Sequence, residues 1–327
     1  MINRLSQVEV AVTDLSRARE FYCDVLGFEV FADTPETLWL RAPAEFDVWS
    51  LKLSTETEHG LLAFGFRVDG EDGLDELAGL HDRLAVPYRW REAGEEPGRG
   101  RMLRVRAPSG HLLDFEHEVD EVSIHGPRGP QLPMRHTDRH RGVGLARLDH
   151  VNVRTATLAP ALAYFQGQLG FSASERQIDA NGEVQRAWLR RAQGSHDMAI
   201  GRDAQIGFHH MAYTLRDTAA VISAADLLAD ANLPVIEYGP GRHGITDACF
   251  LYIRDPDGNR IELYAGDYVR DLDRTPFDWT LKEYETTGLL WWGQQPPASF
   301  LAAGPVLERA LEAPHAGAPA LQEVAGS

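Results

Sequence analysis

The sequence predicts an α+β fold of two tandem, internally similar domains, and two sets of matches within the chain predict it. At a constant offset of 143 residues, LSQVEVAVTDLSRAREFYCDVLGF (5–28) falls on LDHVNVRTATLAPALAYFQGQLGF (148–171), so Leu5 meets Leu148 and Leu26-Gly27-Phe28 meets Leu169-Gly170-Phe171. At an offset of 148, Phe66-Arg67-Val68-Asp69 falls on Thr214-Leu215-Arg216-Asp217, and Ala107-Pro108-Ser109-Gly110 on Asp255-Pro256-Asp257-Gly258. Both copies open with an alternating apolar strand followed by a helical pattern that closes on glycine. One repeat is therefore about 120 residues of strand, helix and further strands.

In chain order, residues 1–120 form the first repeat domain and 121–145 a connector. The connector holds HGPRGPQLPMRHTDRHRG, where proline, glycine and charge dominate. Its His125, His136 and His140 are expected as linker composition rather than as a metal tract. Residues 146–268 form the second repeat domain. The segment 269–293 carries Phe277, Trp279, Tyr284, Trp291 and Trp292, which are expected to pack back near the second domain. From about Gln294 to Ser327 alanine, proline and glycine predict a flexible tail.

A length of 327 residues suits two domains, and 43% apolar with 25% charged residues is ordinary for a globular chain. Net charge is −17, from 32 basic and 49 acidic residues, which argues against nucleic acid as a partner. Cys23 and Cys249 cannot build a disulfide framework, so a cytoplasmic setting is expected. The start, MINRLSQVEVAVTDL, lacks a basic region followed by an apolar core, and no signal peptide is expected. No run of about 18 apolar residues exists to cross a membrane.

Chemistry concentrates in GRHGITDACFLYIRDPDGNRIE, residues 241–262. Pro-Asp-Gly between two β-rich runs is a tight turn, so the runs are expected to be adjacent antiparallel strands with Tyr252 and Glu262 facing one cavity. A carboxylate on an apolar strand is costly unless it is paired or binds a metal. The second repeat also offers His150 on its first strand and His209-His210 on a later one, of which strand alternation leaves one pointing away. By the two offsets, the first repeat has Gln7, Leu62 and Asp114 at the positions of His150, His210 and Glu262. A lone strand histidine is ordinarily a hydrogen-bonded core residue. Three groups that occupy repeated positions in one half and vanish together in the other read as one site. Two neutral imidazoles and one carboxylate with open positions form the ligand set of non-haem Fe(II) oxygen chemistry, and Mn(II) shares it. The first repeat is expected to be structural and metal-free.

The spacing Gly241-x-His243, seven residues, Leu251-Tyr252, two residues, Asp255-Pro-x-Gly258, three residues, Glu262 resembles the signature of the type I extradiol ring-cleavage dioxygenases of the vicinal oxygen chelate superfamily. The resemblance continues through Leu148-Asp149-His150-Val151-Asn152, Ser195-His196-Asp197-Met198-Ala199, His209-His210 and Trp291-Trp292-Gly293, and is nearest to homoprotocatechuate 2,3-dioxygenases. It implies paired βαβββ modules and extradiol cleavage of a catechol with O2 to a 2-hydroxymuconic semialdehyde-type product in aromatic catabolism. It also implies Fe(II), with Mn(II) as the alternative, and a homotetramer.

Carried over by position, the resemblance makes His150, His210 and Glu262 the metal ligands and His196 the acid/base near the oxygen site. His243 and Tyr252 would hydrogen-bond the substrate's oxygens, and Asn152 and Trp188 would line the pocket. Homoprotocatechuate enzymes hold the substrate's acetate with arginines at two positions filled here by Tyr238 and Leu289. Neither residue replaces a guanidinium, so a substrate with a neutral, bulkier or more apolar side chain is expected, unless Arg190, Arg191 or Arg242 compensates. The alternative function is a metal-dependent sequestering protein of the same superfamily. Such a protein has no use for His196, His243 and Tyr252.

Overall fold

A computed structural model of the chain describes residues 2–122, 141–309 and 311. The first repeat runs β1 (Ile2–Val12), α1 (Leu15–Arg19, prolonged by a wider π turn through Val25), β2 (Glu29–Thr34), β3 (Thr37–Arg41) and β4 (Leu51–Thr55). It continues with β5 (Gly60–Val68), α2 (Gly70–Leu84), β6 (Tyr88–Arg91), β7 (Met102–Arg106) and β8 (Leu112–Glu116). One repeat is thus two successive βαβββ modules, whose strands join a single sheet in the order β2-β3-β4-β1-β5-β8-β7-β6.

The second repeat has the same plan. Its elements are β9 (Leu148–Thr155), α3 (Leu158–Leu162, prolonged through Gln168), β10 (Ser172–Ile178), β11 (Val184–Arg190), β12 (Met198–Arg202), β13 (Gly207–Thr214), α4 (Thr218–Asp230), β14 (Ile236–Arg242), β15 (Cys249–Arg254) and β16 (Arg260–Ala265). A further strand, β17 (Phe277–Thr280), joins the edge, giving the order β14-β15-β16-β13-β9-β12-β11-β10-β17. The α+β class and the paired βαβββ plan are those expected. Among the described residues no helix is long and apolar enough to cross a membrane. The connector histidines His125, His136 and His140 lie outside the described residues.

Local chemistry explains the repeated punctuation. Asp14 caps α1 by accepting from the Arg17 amide, and Asp217 caps α4 by accepting from the Ala220 amide. Gly27 ends the first helical segment at φ +91°, where a Cβ would meet the Arg141 carbonyl oxygen at 2.5 Å. Only glycine suits that position. The repeats share one core: Phe28 meets Tyr213 edge to face at 4.9 Å, and Phe66 meets Phe171 at 5.2 Å.

Strand register corrects one equivalence. Gly65 pairs with Gln7 and Asp114, as Ala212 pairs with His150 and Glu262. The counterpart of His210 is therefore Ala63, not Leu62. The shift from 147 to 148 falls after Tyr213, before the Asp217 cap, and a one-residue slip on a strand exchanges its faces. The first repeat fills the corresponding space with paired charge. Arg104, opposite Asp114 as Tyr252 is opposite Glu262, donates to both Asp114 oxygens at 2.7 and 2.6 Å. Lys52 and Arg91 both bridge to Glu96 beside it. A guanidinium already holds the carboxylate there.

The segment expected as a loose tail is, through Arg309, part of the packed body. Phe300 is 3% exposed, Gly304 pairs with Phe208, Val306 bridges to Leu61, and Arg309 pairs with Glu9 and Glu56 of the first repeat. Residues 312–327 lie outside the described set. In the preceding aromatic segment Trp279 and Tyr284 turn inward beside Trp188 and Ile245, whereas Trp291 and Trp292 stay exposed, at 65% and 46%.

Candidate active site

Four neighbouring strands carry the site. His150 lies on β9, His210 on β13 and Glu262 on β16, and all three are buried. His150 Nε2 lies 3.2 Å from His210 Nε2 and 3.1 Å from Glu262 Oε2, and His210 Nε2 lies 3.2 Å from the same oxygen. Three mutually perpendicular bonds of about 2.2 Å to one ion subtend this spacing, so the donors fit one face of an octahedral metal. No other group of three metal-ligating side chains among the described residues comes together in this way.

The surroundings fix which ring nitrogens point inward. His150 Nδ1–H donates to Asp149 at 3.1 Å, which leaves Nε2 for a metal. Burial alone would raise the Asp149 pKa; the bond from His150 and the charge of Arg147 hold it down at about 2. His209 Nε2–H donates to the Phe300 carbonyl at 2.7 Å, so its Nδ1 must accept from His210 Nδ1–H, 2.7 Å away. That leaves His210 Nε2 as a lone pair aimed at the centre. The histidine that turns away is thus the one that orients its neighbour. Replacing His209 with Phe is expected to weaken metal binding by about 10–100-fold in a chelator competition. Unchanged affinity would remove His209 from the relay.

His196, half-buried, lies against His150 with ring centroids 4.0 Å apart and the rings tilted by 39°, and its Nδ1 meets Ser195 Oγ at 2.9 Å. Desolvation, then the charge of His150, pushes its pKa well below the ordinary histidine value, so it is neutral. Opposite, Tyr252 O–H donates to His243 Nε2 at 3.0 Å, and His243 Nδ1–H donates to the Leu289 carbonyl. Burial, then Glu262, drives the Tyr252 pKa well upward, so the phenol keeps its proton.

A cavity of about 70 Å³ joins these groups and is walled by Asn152, Trp188, Tyr284 and Leu289. A larger one, about 1050 Å³, lies between the repeats and shares His196 with it.

Tyr238 is a correction. It does not line the cavity but stacks behind Tyr252, at 5.9 Å and 9° between rings, against Phe250 and Phe300. The three arginines considered as compensating cations are also engaged elsewhere. Arg190 donates to four backbone carbonyls, Arg191 to those of Ile2 and Gly170, and Arg242 pairs with Asp247. Arg154 and Arg186, which no sequence motif singles out, do line the cavity. The signal was available in part, since His150, Asn152 and Arg154 are spaced by two on one strand and share a face.

The sequence pattern of the Glyoxalase/Bleomycin resistance protein/Dioxygenase superfamily matches residues 4–121 and 147–263. A manganese-dependent 2,3-dihydroxybiphenyl 1,2-dioxygenase from Geobacillus genomosp. 3 is 28% identical over 90% of this chain and 95% of that protein. The crystal structure of homoprotocatechuate 2,3-dioxygenase from Arthrobacter globiformis superposes with a TM-score of 0.86 at 32% identity, covering 94% of this chain and 93% of that one. An extradiol ring-cleaving dioxygenase from B. fuscum gives a TM-score of 0.85, also at 32% identity, over 94% and 84% of the two chains. The chain belongs to the glyoxalase/bleomycin resistance protein/dioxygenase superfamily, and within it to the extradiol ring-cleaving dioxygenases.

Proposed function

We propose that the second repeat holds one Fe(II) or Mn(II) ion through His150, His210 and Glu262 and uses O2 to cleave a catechol beside its hydroxyl pair, yielding a 2-hydroxymuconic semialdehyde-type product. The observation that carries this reading is the convergence of three donor atoms within 3.1–3.2 Å, flanked by a neutral histidine on one side and a histidine–phenol pair on the other. When bound, the ion supplies a Lewis-acidic, electron-relaying centre with positions left for both substrates.

The chain's own groups handle protons and position. With Nδ1–H donating to Ser195 Oγ, neutral His196 takes a proton from a catechol hydroxyl at Nε2 and returns it when the O–O bond breaks. Tyr252 turns its O–H from His243 Nε2, which accepts it in the absence of substrate, to the substrate oxygen on its side. Trp188 and Leu289 wall the ring and exclude water. Glu262 remains a carboxylate: burial opposes this, but the bond from protonated His150 holds its pKa well below the usual range.

Metal binding should be coupled to one proton. Burial alone would lower the His150 pKa, yet the bonds to Asp149 and Glu262 raise it to about 9 in the metal-free protein. His210 is pushed down to about 4, chiefly by burial, and is already neutral near pH 7. An ion must therefore displace the His150 proton, and affinity falls as pH falls below about 9. A tenfold rise in affinity per pH unit between roughly pH 6 and 8 is expected by calorimetry. A pH-independent affinity would contradict the assignment of His150.

The function is tested by loading metal-free protein anaerobically with Fe(II) or Mn(II), adding catechol and admitting air. O2 uptake with a yellow ring-fission chromophore supports the reading, and the more active metal identifies the cofactor. Bound metal and catechol without O2 uptake would favour a sequestering protein instead.

A further inference from the structure

Arg154 and Arg186 flank Gly201 from opposite sides, Arg154 on β9 and Arg186 on β11, with β12 between them. A Cβ on Gly201 would lie 3.1 Å from Arg186 Cγ and 3.3 Å from both Arg154 Cδ and Nη1, so the absent side chain makes room for both arginines. Both line the cavity that holds His150, His210 and Glu262. Arg154 is 6% exposed, and its guanidinium leans back along the strand to donate to Asn152 Oδ1, and also to the Val153 carbonyl at 3.2 Å. Arg186 donates to Gln177 Oε1 at 2.8 Å and lies over the Tyr284 ring at 5.3 Å, while its buried Nε has no partner.

Among the described residues neither arginine has a carboxylate within ion-pairing distance. Arg260, also buried, pairs with Glu237, and Arg91 and Arg104 of the first repeat are paired as well. Burial, then the charge of Arg186, presses the Arg154 pKa down to about 10. Two like charges on the wall of one cavity, one of them buried, repel each other unless an anion joins them.

We infer that Arg154 and Arg186 form the binding site for an anionic substituent, a carboxylate or similar oxyanion, on the catechol this protein cleaves. The inference rests on the ring-cleavage reading of the site. A planar fork of donors suits a carboxylate, and the lean of Arg154 toward Asn152 puts that fork on the metal's side of the strand. On this reading the substituent differs from the neutral side chain expected from Tyr238 and Leu289. Tyr238 is outside the cavity, and the positive charge has another origin, on β9 and β11.

The test uses two acids, 3,4-dihydroxyphenylacetate and 3-(2,3-dihydroxyphenyl)propionate, each paired with its methyl ester. Two quantities are measured. One is kcat/KM with the metal-loaded protein; the other is the dissociation constant of the metal-free protein, read by quenching of tryptophan fluorescence. The wild-type protein should prefer at least one acid over its ester by about 10–100-fold in both measurements. The acid-to-ester ratio should fall toward one in the Arg154→Gln/Arg186→Gln double variant and recover in part in Arg154→Lys. The double variant should melt no lower than wild type, because it sheds two uncompensated charges. Equal treatment of acid and ester by the wild-type protein would overturn the inference without any variant, as would a double variant that keeps the preference. Failure to turn over any catechol would overturn the ring-cleavage reading instead, and the metal-free binding ratio would still decide the charge preference.

Discussion

Replacing Glu262 with Gln is expected to leave the protein without stoichiometric metal and to lower ring cleavage by at least about 10³-fold. The amide keeps the shape of the side chain but removes the one negative charge among the three donors. Two neutral imidazoles and an amide then face a divalent ion in a buried pocket, with the ion's charge uncompensated. Metal analysis after dialysis and O2 uptake with catechol are the readouts. A variant that kept one ion per chain and most of its activity would refute the ligand assignment of Glu262, and with it the choice of the second repeat. Asp114→Asn in the first repeat is the matched control. Its partner is Arg104 at 2.6–2.7 Å, so it should affect stability rather than metal content.

His196→Phe is expected to slow turnover by about 10²–10⁴-fold while metal binding stays intact. The phenyl ring can occupy the space beside His150 but neither accepts nor returns a proton. A residue that merely filled space would be replaced by Phe at little cost to turnover, so unchanged kinetics would remove His196 from the mechanism. If metal content fell with turnover, His196 would instead be supporting His150, whose ring it approaches at 4.0 Å between centroids.

The sequence made the fold and the three donors legible because the duplication supplied its own control. His150, His210 and Glu262 stood out against their own repeat, and the Pro-Asp-Gly turn put Tyr252 beside Glu262, as their pairing on β15 and β16 shows. What it did not reveal depends on register and on distant partners. The offset alone matches Leu62 to His210, because the insertion after Tyr213 lies too near the strand to be located without its pairing. His209 differs from His210 only in facing the Phe300 carbonyl, 91 residues away along the chain. Position in a motif puts Tyr238 on the substrate wall, but the aromatic packing of Phe250 and Phe300 keeps it behind Tyr252. The packed stretch from Phe300 to Arg309 was hidden by composition, since a few contacts with both repeats outweigh a surplus of alanine and proline.

One measurement bears on ring cleavage at this site more directly than any other: the product formed from catechol by Fe(II)-loaded protein under ¹⁸O2. Extradiol cleavage predicts a yellow semialdehyde that carries both atoms of one O2 molecule and appears in step with O2 uptake. A colourless dicarboxylic acid would place the broken bond between the two hydroxyls, and an unlabelled product would show that O2 is not a substrate. Either result would contradict the function proposed for this chain.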